Sequence, residues 1–132
     1  MTRLEAKAAY AGARHAGDLR ALCAGDLFFL MVYGMRRADM DRDWIFDRCR
    51  EVQAAPDGHL DLWSREHYKS TIITVGLTIQ NILNNPNITV GIFSHTRPIA
   101  KAFLRQIKRE FETNRFLQEL FPHIRPPAKG ET

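Results

Sequence analysis

Trp63-Ser64-Arg65-Glu66-His67-Tyr68-Lys69-Ser70-Thr71 is the stretch on which the fold of this 132-residue chain turns. It places a Lys-Ser-Thr triplet between a short extended segment, residues 59–63 with Leu60 and Leu62 on one side, and a run with helical spacing: Ile72, Val75 or Gly76, Ile79 and Leu83. A phosphate-binding loop is built in this order. Backbone N–H groups and the positive end of the following helix surround a polyphosphate, the lysine neutralises its outer oxygens, and the next hydroxyl holds Mg²⁺. Lys69 and Ser70 take those two parts, and Arg65 supplies a second cation suited to bidentate phosphate contact. Ser64 caps the loop. The glycines of the usual G-x-x-x-x-G-K-[ST] pattern are replaced by Trp63 and Tyr68, so Tyr68 must accept whatever backbone angle glycine would have supplied. The plain alternative is a surface Lys-Ser at a helix start, with Arg65 paired to Glu66. His67 and His95, on the two expected ligand loops, read as hydrogen-bonding or positioning groups rather than acid–base catalysts.

Working outward, the expected class is α/β: a helical N-terminal segment, then a partial, truncated parallel sheet of the phosphate-loop type in the order βαβα. Residues 59–63 and 88–93 are the strands, residues 69–83 and 96–113 the helices, and Asn84-Asn85-Pro86-Asn87 the stop between them. Parallel strands put ligands at their carboxyl ends, where residues 64–70 and 94–96 fall. Local propensity conflicts with this at one place, since Thr71-Ile72-Ile73-Thr74-Val75 is β-branched throughout and favours a strand. Upstream, residues 3–23 read as helices broken near Gly17 with Asp18 as a cap. Asp26 opens a second helix reaching Arg37, and Asp43 a third along Trp44, Ile45, Cys49 and Val52, closed by Ala55-Pro56-Asp57-Gly58. The divisions expected are a helical segment (1–57), a phosphate-loop core (58–121) and a disordered or linker tail (122–132).

At 45% hydrophobic and 26% charged residues the composition is that of a globular domain with a core, which excludes extensive disorder. The net charge of +4 permits a polyanionic partner without requiring one. Cys23 and Cys49 lack CxxC spacing, so neither zinc nor a disulfide framework is indicated. The longest apolar run, residues 27–33, is too short to span a bilayer, and no membrane partner is expected. Arg97, Lys101, Arg105, Lys108 and Arg109 recur at helical spacing opposite Ala100, Phe103, Leu104, Ile107 and Phe111. They make either a solvated amphipathic face or a contact surface for nucleic-acid phosphates. Aromatics do not interleave with them, so duplex backbone is favoured over stacked single strands.

The run Leu60-Asp61-Leu62-Trp63-Ser64-Arg65-Glu66-His67-Tyr68-Lys69-Ser70-Thr71-Ile72, followed by Ile82-Leu83-Asn84-Asn85-Pro86, Gly91-Ile92-Phe93-Ser94-His95-Thr96 and Ala100-Lys101-Ala102-Phe103, resembles the start of the ATPase domain of bacteriophage terminase large subunits. These are motors that package viral DNA. The resemblance covers residues 20–121 and tolerates a phosphate loop that begins Ser-Arg and lacks a glycine before the lysine. It implies ATP and Mg²⁺ as cofactors bound by residues 64–71, with Lys69 on the β- and γ-phosphates, Ser70 or else Thr71 toward Mg²⁺, and Arg65 sensing phosphate. The partners it implies are double-stranded viral DNA, the rest of the large subunit, the small subunit and the portal, in the cytoplasm of a bacterial host. The acidic strand that holds Mg²⁺ and activates water has no counterpart after Lys69, and a nuclease part is missing as well. The expectation is therefore an N-terminal piece that binds nucleotide without hydrolysing it, or a non-enzymatic module that binds DNA or another subunit.

Overall fold

The computed structural model describes residues 2–13, 15–54, 70–92 and 96–124, and every regular element among them is helical. In chain order these are α1 (Arg3–Gly12), α2 (Ala16–Gly25) and α3 (Leu27–Phe29), which runs on with π winding as π1 (Leu30–Gly34). A 3-10 turn (Ala38–Met40) and α4 (Asp43–Ala54) follow, then π2 (Ser70–Leu77) continuing into α5 (Thr78–Asn84). Last come α6 (Arg97–Thr113), α7 (Arg115–Leu120) and a 3-10 turn (Pro122–Ile124).

The expected α/β class, with its parallel phosphate-loop sheet, is overturned. Residues 88–92 carry no strand, and the other expected strand, 59–63, lies outside the described residues. The physical reason is that the described residues give 88–92 no neighbour to pair with. A strand holds its geometry through ladder hydrogen bonds, and among the described residues the peptide groups of 89–92 form none. The β-branched run 71–75 meanwhile winds as helix, because Ile72, Val75 and Ile79 are thereby brought onto one buried face.

The centre of the molecule is α3 with π1. Asp26 starts it as expected, its Oδ1 accepting from the Phe29 N–H at 3.1 Å. Leu27, Phe28, Phe29, Leu30 and Met31 are fully buried, each apolar side chain contributing about 1.5–3 kcal/mol. A helix apolar on all sides must be covered on all sides, and α2, α4, π2 and α7 do so. Gly76 lets π2 approach closely, since a Cβ there would lie 2.5 Å from Met31 Sδ.

Polar closure is concentrated at the carboxyl end of α2. A helix leaves its last four carbonyls without partners inside the helix. Here Leu22 O accepts from the Asp26 N–H, Cys23 O from Gln80 Nε2 at 3.1 Å, Ala24 O from Asn84 Nδ2 at 2.9 Å and Gly25 O from Gln53 Nε2 at 3.1 Å. Gln53 also donates to Gln80 Oε1 and accepts from the Leu27 N–H, so α4 and α5 meet at this one end. α1 ends at Gly12 and α2 begins at Ala16, so Gly17, near which the break was expected, lies inside α2. Asp18 sits in the first turn, and His15 is the cap position without a side-chain bond.

Candidate functional site

Ser64, Arg65, Glu66, His67, Tyr68 and Lys69, together with Ser94 and His95, lie outside the described residues. Ser70 is the first described residue of π2. The winding continues without a break to Asn84, the junction residue Leu77 being helical at φ −64°, ψ −38°.

Thr71, half-buried in π2, lines a cavity of about 200 Å³ with Arg37, Gln106, Arg109 and Glu110, over Met35 and Val75. Two residues assigned from sequence to different surfaces, Thr71 and Arg109, thus share one wall. Arg37 is held by Asp39 in a bidentate pair, both N···O distances 3.0 Å. Glu110 accepts from Asn114 Nδ2, which also donates to Gly34 O and so fixes the α6–α7 corner against the end of π1. Arg37, Gln106 and Glu110 were not singled out from sequence. Glu110 had a legible signal, being a carboxylate three residues after Ile107 on the inward face of an amphipathic helix.

The second surface is α6, opened by Thr96 without a side-chain cap and with Pro98 in its first turn. Arg97, Lys101, Arg105, Lys108 and Arg109 are all exposed. At 3.6 residues per turn the first four fall within an arc of about 80°, and Arg109 is turned toward the Thr71 cavity. Glu112 falls in the same arc at its carboxyl-terminal end. No residue of this stripe forms an ion pair among the described residues, whereas Arg3, Arg37, Arg48 and Arg50 each hold a carboxylate. The opposite face buries Ile107 and rests on π2 and α7.

Burial, with Asp26 adding to it, pushes the thiols of both Cys23 and Cys49 up to about 12, so neither serves as a nucleophile at neutral pH. Among the described residues no cluster of His, Cys, Asp and Glu is arranged to hold a metal ion, and no helix is long and apolar enough to cross a membrane. Comparison with protein-family models, with curated proteins and with solved structures gives no match.

Proposed function

We propose that the chain is a nucleotide-binding part of a DNA-packaging motor of the phage large-terminase type, taking ATP and Mg²⁺ at Lys69, Ser70 and Thr71. The observation that carries this is the cavity at Thr71, two residues on from the lysine in sequence, where a hydroxyl, the Arg37 and Arg109 guanidinium groups and the Glu110 carboxylate share one lining. Lys69 meets the β- and γ-phosphates, Arg65 senses the terminal one, and Ser64, Glu66, His67 and Tyr68 complete the loop. The described surroundings suit the ligand in kind. The Thr71 hydroxyl and the Arg109 guanidinium accommodate phosphate oxygens, and the Glu110 carboxylate suits a hydrated divalent cation. Bound Mg²⁺ would neutralise phosphate charge. Binding is assigned to this chain and hydrolysis is not. Titration with a fluorescent MgATP analogue tests the proposal: Lys69→Ala weakens binding at least tenfold, whereas equal binding by both proteins, or none by either, overturns it.

A second reading is favoured by the cations of α6, which form no ion pair among the described residues: a module that lies along the backbone of duplex DNA or against another packaging subunit. Neutralising Arg105 and Lys108 then lowers DNA affinity and its salt dependence. An unchanged slope leaves the stripe as solvated surface.

A further inference from the structure

Between α5 and α6, and along the first turns of α6, the chain keeps apolar side chains in water. Ile88 is 39% exposed, Val90 41%, Ile99 38% and Leu104 50%. Val90 and Ile92 alternate with Thr89 and Gly91, and with Ala100 and Leu104 they line a groove of about 210 Å³. Arg97 and Lys101 stand at its rim. The peptide groups of 89–92 have no hydrogen-bond partner among the described residues. An apolar floor, two cations without carboxylates and an unpaired stretch of main chain therefore coincide on one short surface.

We propose that this groove receives an extended, acidic and aliphatic segment of a partner protein, added alongside residues 89–92 as a strand. Each feature of the surface fixes one feature of the occupant. The N–H and C=O groups of 89–92, open to solvent and unbonded among the described residues, suit an extended main chain that supplies ladder bonds. The alternation of Val90 and Ile92 requires aliphatic side chains at every second position of the incoming segment. Arg97 and Lys101 require carboxylates at the positions between or beside them, since a basic segment would meet like charge. A nucleic acid satisfies the cations but leaves Val90, Ile92 and Leu104 wet. A second copy of this region would bring Arg97 and Lys101 against themselves. The inference stands apart from the nucleotide reading, because Val90 and Leu104 bear no charge and line a different surface from Thr71.

The test uses the full chain and a short acetylated peptide alternating glutamate with valine, with binding followed by fluorescence anisotropy. The glutamate peptide binds at least tenfold more tightly than its lysine counterpart. Leu104→Glu, an exposed change that the fold tolerates, lowers that affinity at least tenfold. The double substitution Arg97→Glu with Lys101→Glu reverses the preference, so that the lysine peptide is now held. N-methylation of alternate amides in the glutamate peptide abolishes binding if it pairs as a strand. Equal binding of the two peptides, indifference to Leu104→Glu or indifference to N-methylation overturns the proposal. So does concentration-dependent self-association that Leu104→Glu removes, or a response to Arg97 and Lys101 seen only with a DNA duplex.

Discussion

Cys23 and Cys49 show what the core does to a single group. Each thiol sits at about 12 against an ordinary 9.0, raised first by burial and then by the charge of Asp26. Below pH 9 both the folded and the unfolded chain keep these protons, and their stabilising effect is fully present. Between pH 9 and 12 only the unfolded chain releases them, so stability falls by up to about 1.4 kcal/mol per pH unit for each thiol. Urea midpoints measured against pH should show that decline, and replacing both cysteines with alanine should flatten it. Tyr33, raised by burial and then by Asp41, extends the loss above its ordinary 10.0. At this scale the sequence was legible where the chemistry is local. Asp26 before an apolar run is a cap, and its Oδ1 reaches the N–H three residues on. Arg37 and Gln106 were not legible, because the cavity they share with Thr71 exists only once π1, π2 and α6 are packed together.

At the level of elements, π2 is where propensity and packing disagree and packing prevails. The apolar spacing of Ile72, Val75 and Ile79 marked it as helix, while nothing in the spacing announced its π winding, a form that recurs at functional sites. Gly76 is part of that contact. Gly76→Ala gains about 1 kcal/mol of helix propensity, but its new methyl meets Met31, which is fully buried and has three atoms within 3.2 Å of that position. Overpacking of about 1–3 kcal/mol should outweigh the gain, giving a net loss in chemical denaturation that shrinks when Met31 is shortened to valine. The end of α2 makes a second case. Gln80→Leu leaves the buried Cys23 carbonyl without a partner, and we expect about 1–3 kcal/mol lost, read as a shift of the denaturant midpoint at constant slope. No periodicity in the sequence could have paired Gln53, Gln80 and Asn84 with three successive carbonyls of another helix.

For the whole molecule, the order of motifs suggested a sheet and the described residues hold none. Residues 88–92 have the composition of a strand, yet a strand is a property of two chain segments, and among the described residues no second segment pairs with this one. The basic stripe was legible because helical spacing alone places Arg97, Lys101, Arg105 and Lys108 together, and the structure adds that none of them is paired among the described residues. If the stripe meets duplex DNA, replacing Arg105 and Lys108 with alanine removes two phosphate contacts. The slope of log K against log salt then falls in magnitude by about 1.8. Equal loss on unrelated sequences would mark backbone contact rather than base readout.

The bond of 3.2 Å from Gln53 to Gln80 has a further consequence. One glutamine precedes the segment that carries Lys69 and the other follows it, so this side-chain pair ties together the two ends of the segment proposed above to bind nucleotide. Holding two ends together removes configurational freedom that a ligand would otherwise have to remove itself. The partly buried amide pair at the foot of α2 is thus a clasp across that segment. If the segment binds MgATP as proposed, opening the pair should lower that affinity through lost preorganisation, with none of residues 64–71 changed.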